Sequence, residues 1–174
     1  MKKLAALALA TAITVLPIAA CAPGGPLAGL APLAMDMTPE AAPAYVAMAA
    51  SGDMYEIQSS RLALQRARAA SHRSFAQMMI RDHTNTTMQL TAAARSVGLA
   101  PPAGMLPLHA QMLNQLSTST NFDATYHQQQ LTAHQMALNL HANYAARGDR
   151  QPLRAVAAAA TPAVRMHLDH LRRM

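Results

Sequence analysis

The sequence holds one cysteine, Cys21, among 174 residues. A lone thiol excludes an internal disulfide and a structural zinc site built on several cysteines. Tryptophan is absent, and only two phenylalanines and four tyrosines occur, so any core must rely on small and aliphatic side chains. Lysine stops at Lys3. Every later basic residue is an arginine, scattered from Arg61 to Arg173 with no dense run and no interleaved aromatics. That pattern suits solvated helix faces and helix C-termini, and it gives no sign of nucleic-acid binding. Glutamate occurs only at Glu40 and Glu56, and there is no Glu-x-x-His pair. A dinuclear carboxylate site of the ferroxidase type needs several of each. Phosphate loops, dinucleotide fingerprints and a Ser-His-Asp arrangement are missing too. So are the ten-residue alternating stretches of a membrane β-barrel. What is abundant is alanine, leucine, glutamine and methionine, the last at 13 residues. All four favour helix.

The N-terminus reads as a signal. Lys2 and Lys3 precede an apolar run from Leu4 to Leu16, too short to span a bilayer comfortably. Ile18-Ala19-Ala20-Cys21 follows and looks like a lipobox, with residues 1–20 as the cleaved signal and Cys21 as the lipid-modified first residue. An ordinary secretory cleavage and a retained anchor are the rival readings. The first would put Pro23 almost directly after the cut. Lipidation of Cys21 would also exclude thiol catalysis. Removing Lys2 and Lys3 lowers the formal charge from +6 to +4. The residue after Cys21 is Ala22 and not Asp. By resemblance to bacterial lipoprotein sorting, this implies the periplasmic side of the outer membrane, with the lipid as the membrane contact.

Residues 21–43 carry Pro23, Pro26, Pro32, Pro39 and Pro43. They are expected to be a tether that lets the following domain float on the order of 25 Å from the lipid. Residues 44–174 are expected to form the domain. Helices are predicted over about 44–69, from an N-cap at Ser71 to Gly98, and from Asn121 to Gly148. A last one is capped by Asp149 and kinked at Pro162. A short amphipathic piece over 106–116 crosses between the second and third of these. Long helices with two short turns and one long connection describe an all-α four-helix bundle.

The residues Ala49-Ala50-Ser51-Gly52-Asp53-Met54-Tyr55-Glu56-Ile57 and Phe75 through Met79-Ile80-Arg81-Asp82-His83 are followed by Phe122-Asp123, Tyr126, His134, Pro162 and His167-Leu168. This order resembles the bacterial domain-of-unknown-function family numbered 4142, often labelled a predicted outer-membrane protein. The resemblance covers about Tyr45 to Leu171, and Met-Ile-Arg-Asp-His is its most specific stretch. It implies a ferritin-like bundle in the cell envelope and no settled activity. It also places one polar residue on each long helix: Glu56, His83, His134 and His167.

Inward residues at matching depth converge on a bundle axis, which is how ferritin-like metal sites are built. Imidazoles with one carboxylate suit zinc, iron or copper. Asp82 is a candidate extra ligand or a partner that orients a histidine. His141 is a second candidate extra ligand. His127, His134 and His141 share a helix face, but seven residues span roughly 10.5 Å, so they cannot hold one ion together. His72, His109 and His170 read as surface residues. Methionine with histidine suits Cu(I), and Met35-Asp36-Met37 lies in the tether, but most of the methionines sit at core spacing as fillers. The competing expectation is a non-catalytic structural or interaction lipoprotein, whose Glu/His network serves packing alone. No motif names a reaction, so a non-enzymatic role is the leading expectation.

Overall fold

A computed structural model describes residues 38–174. The signal segment 1–20, Cys21 and most of the expected tether lie outside the described residues. Five helices and no strand occur among them: α1 (Ala42–Arg66), α2 (Ala70–Ser96), α3 (Pro107–Thr118), α4 (Phe122–Arg147) and α5 (Gln151–Arg172). None is long and apolar enough to cross a membrane.

α1 starts two residues before the expected boundary. Pro43 falls in its first turn, where the missing N–H has no helical partner to lose. The residues just before are docked. The Pro39 carbonyl accepts from Asn143 Nδ2, and the Glu40 carbonyl accepts from the Asp149 N–H at 2.9 Å.

Two expected caps are absent. Ser71 does not cap α2, and neither α2 nor α5 has a side-chain cap on its own N-cap residue. Asp123 instead reaches across from α4 and accepts the Arg68 and Ala69 N–H groups at 2.9–3.1 Å, closing the α1–α2 turn. Asp149 accepts from the Tyr144 hydroxyl. α5 runs through Pro162 as one continuous helix.

The four long helices close a square in which α1 meets α2 and α4, and α5 meets the same two. Paired residues run in opposite directions along α1 and α4, as in Tyr55 with Gln129 and Ser60 with Tyr126. The chain leaving α2 must therefore return along the length of the bundle before α4 begins. α3 makes that return against α1. Ser51 Oγ accepts the Leu106 N–H, and Arg66 donates to the carbonyls of Leu116 and Ser119. Two glycines serve this path. Gly98 ends α2 at φ +76°, a conformation that strains any side chain. Gly148 ends α4 where a Cβ would lie 2.5 Å from the Tyr144 ring.

The core has two apolar ends. At one, Tyr45 and Tyr144 stack at 3.9 Å among Val46, Leu90, Leu140 and Leu153. At the other, Phe75, Met79, Leu116, Tyr126 and Leu171 pack together. Each such large side chain contributes roughly 1.5–3 kcal/mol by leaving water. Between the two ends lies a buried polar belt containing Asp53, Glu56, His83, Gln130, His134 and His167.

Candidate metal centre

Three helices each send one histidine into the belt: His83 from α2, His134 from α4 and His167 from α5. All three are buried. One ring nitrogen from each lies within 4.8 Å of the other two, and ring centroids are 5.4–5.9 Å apart.

Each ring is oriented from its far side. His83 Nδ1 lies 2.8 Å from Asp53 Oδ1. His134 Nδ1 lies 2.9 Å from the Gln130 carbonyl. His167 Nε2 lies 3.0 Å from Asp82 Oδ2. A carbonyl or carboxylate can only accept, so these nitrogens carry the protons. In the neutral rings that leaves lone pairs on His83 Nε2, His134 Nε2 and His167 Nδ1. Those three atoms are buried and have no hydrogen-bond partner. Glu56 Oε2 is in the same state, while its Oε1 lies 3.7 Å from His134 Nδ1. With Gln130 Oε1 these make five unpartnered acceptors in one buried belt, costly unless something with positive charge or a proton meets them.

The electrostatics keep two of the rings neutral and favour the proton on the third. Burial, with the neighbouring His83 and His167, drives His134 down to about 3, so it stays neutral. Burial and His83 lower His167 against the pull of Asp82. Burial also pulls on His83, but the Asp53 hydrogen bond and the charges of Asp53, Glu56 and Asp82 outweigh it and raise the ring. Burial lifts Glu56 to about 7 against the charge of His83 and a hydrogen bond with Gln130. The carboxyl is thus poised between neutral and ionised, and a nearby cation would ionise it.

The donor set fits a transition metal. Three converging imidazoles match open zinc, iron and copper sites. Tetrahedral bonds of about 2.0–2.1 Å place nitrogens about 3.3 Å apart, which asks each ring to move less than about 1 Å. Acceptors behind the histidines are the usual means of fixing a ligand's tautomer and orientation.

Of the residues singled out in the sequence, His83, His134 and His167 come together, while Glu56 lies beside them but outside that group, its Oε1 3.7 Å from His134 Nδ1, the nitrogen that faces the Gln130 carbonyl. Asp82 stands behind His167 as its hydrogen-bond partner. His141 lies outside the trio, with Nδ1 3.1 Å from the Tyr45 hydroxyl. His109 is a correction. It is buried, bonded through Nδ1 to Ser51 Oγ at 2.7 Å and stacked near Tyr55. His72 and His170 are half-buried. Asp53 went unremarked as a site residue. It accepts from His83, Thr86 and Thr87, and its one sequence signal is its position three residues before Glu56 on the same helix.

An all-helical bundle with three converging histidines is the class that fold and site define. The chain belongs to the domain-of-unknown-function family DUF4142, whose profile matches residues 29–174. Similar solved structures include CopM in its Cu(II)-bound form, at TM-score 0.65 and 21% identity, covering 76% of this chain and 94% of that one. The Cu(I)-bound form of CopM aligns at TM-score 0.64 and 19% identity, covering 76% and 93%. The silver-bound co-crystal aligns at TM-score 0.63 and 19% identity, with the same coverage. At these identities the likeness establishes a shared fold. No curated protein sequence matches the chain.

Proposed function

We propose that this bundle binds one transition-metal ion at His83, His134 and His167, with Glu56 as the fourth protein donor. The observation that carries the proposal is the set of three buried ring nitrogens, each without a partner and each backed by an acceptor on its other nitrogen. Metal binding gives those lone pairs their partner and leaves the far-side bonds intact. Copper is the first ion to test, because the similar bundle CopM has Cu(II)-bound and Cu(I)-bound forms. Zinc and iron suit the same donors.

The test is metal content by mass spectrometry on the chain isolated from the envelope without an affinity tag, beside its His134→Ala variant. Near-stoichiometric metal lost in the variant supports the site. Metal absent from both after reconstitution rejects it.

A structural reading draws on one specific observation. Asp53–His83 ties α1 to α2, and Asp82–His167 ties α2 to α5, with no ion needed. On that reading the same substitutions lower stability and change no metal content.

We further propose that the chain is exported and held at the outer membrane through lipid on Cys21. The lipobox-like Ile18-Ala19-Ala20-Cys21 supports this. Labelled palmitate should enter the wild-type chain and not Cys21→Ser. Equal labelling of the two would reject the anchor.

A further inference from the structure

A second group of imidazoles lies near the first turns of α2 and α4. The ring centroids of His72 and His127 are 5.8 Å apart, with the ring planes at 47°. Two imidazoles bound to one ion at about 2.0–2.1 Å have centroids roughly 4.5–6.5 Å apart. The pair therefore has the spacing of two ligands to a shared ion, as the members of the trio do. His127 precedes His134 by seven residues on α4, roughly 10.5 Å along the axis. One ion cannot bridge the two groups.

The two rings are held differently. His72 is fixed. Its side chain is 13% exposed, its ring meets the Tyr126 ring edge-on at 5.9 Å, and its Nδ1 lies 3.8 Å from Asp123 Oδ2. That nitrogen is buried and has no hydrogen-bond partner. Asp123 is already engaged by the Arg68 and Ala69 N–H groups, so it stands as a charge behind His72 and not as a ligand. With the Nδ1 proton drawn toward that carboxylate, the lone pair falls on Nε2. His127 is half-buried, and no hydrogen bond to its ring is formed among the described residues. Burial, and then the charge of His72, holds His127 below the ordinary imidazole value, so it offers a lone pair at neutral pH. Its ring can turn about a soft torsion to meet an ion beside His72.

We propose that His72 and His127 form a second metal site, separate from the trio, that takes a divalent transition-metal ion with water completing the coordination. Imidazole donors of this kind favour Cu(II) over Ni(II) and Zn(II). Two protein ligands and an opening to solvent make the site weaker and faster to exchange than a buried three-histidine one. The proposal stands on its own residues and does not require the trio to bind metal.

The test uses the full chain, purified in detergent and carrying His134→Ala to disable the trio. Cu(II) is titrated by equilibrium dialysis, and nitrogen ligation is read by electron paramagnetic resonance. The expected result is a saturable Cu(II) equivalent with two imidazole nitrogens. Adding His127→Gln should weaken it at least tenfold and leave the melting temperature of the metal-free chain unchanged, because that ring is half-buried and makes no hydrogen bond. Adding His72→Gln should weaken it to the same degree. A His134→Ala chain with no saturable Cu(II), or uptake that both added substitutions leave unchanged, overturns this site. Neither result bears on the trio, whose ion is removed beforehand by His134→Ala.

Discussion

Three histidine side chains from three helices put lone pairs toward one place, and a separate acceptor aims each ring from behind. The acceptors are two carboxylates and one backbone carbonyl, so their loss is separable from loss of the ligands. Asp53→Asn and Asp82→Asn should each weaken metal binding by about ten- to a hundredfold while retaining the fold. Competitive titration with a chelator of known affinity checks this, and unchanged affinity in both variants would contradict it. The three histidines that converge were pointed to in the sequence by the family resemblance, and helical spacing puts them on or beside the apolar stripes. Asp53 was not. Its pairing with His83 depends on the register of α1 against α2, thirty residues apart in sequence, and spacing along one helix carries no such information.

At the level of elements, α3 turns an amphipathic piece into a strut along α1. Its position was legible, but its histidine was misread as a surface residue, because the hydrogen-bond partner that accommodates His109 is Ser51, far away in the chain. Burial lowers His109 to about 4, below the ordinary value of 6.5. The unfolded chain therefore takes the proton first. The stabilising contribution is complete above about pH 6.5 and is lost as pH falls toward about 4, on the order of 3 kcal/mol. Thermal melts across that window should show a steep decline in stability, and a shallower one in His109→Gln. Identical slopes would remove His109 from the account. The α1–α2 turn gives a second prediction. Asp123→Ala deprives the Arg68 and Ala69 N–H groups of their acceptor and should cost about 1–2 kcal/mol, read by urea unfolding. The caps expected at Ser71 and Asp149 failed for a related reason. Local sequence offers a capping side chain, but the tertiary fold supplies a better acceptor from α4 at one turn and engages Asp149 with Tyr144 at the other.

Across the whole molecule, the bundle encloses a polar belt between two apolar ends, and on the proposed function the belt would couple folding to metal binding. An ion that binds the folded chain alone stabilises it by about 4 kcal/mol at a free concentration a thousandfold above its dissociation constant. Chelation should therefore lower the melting temperature by roughly 10 °C, at about 2–4 °C per kcal/mol for a domain of this size. His134→Ala should show no shift on adding or removing metal. The bundle architecture was legible because glycines, prolines and helical periodicity mark its connections, and the square of helices follows from the single long return between α2 and α4. The measurement that bears most directly on the central claim is X-ray absorption at the metal edge of the loaded chain. The account predicts about three imidazole nitrogens near 2.0 Å, with that signature lost in His83→Ala, His134→Ala and His167→Ala. A sulfur shell from methionine, or a spectrum that all three substitutions leave unchanged, would contradict it.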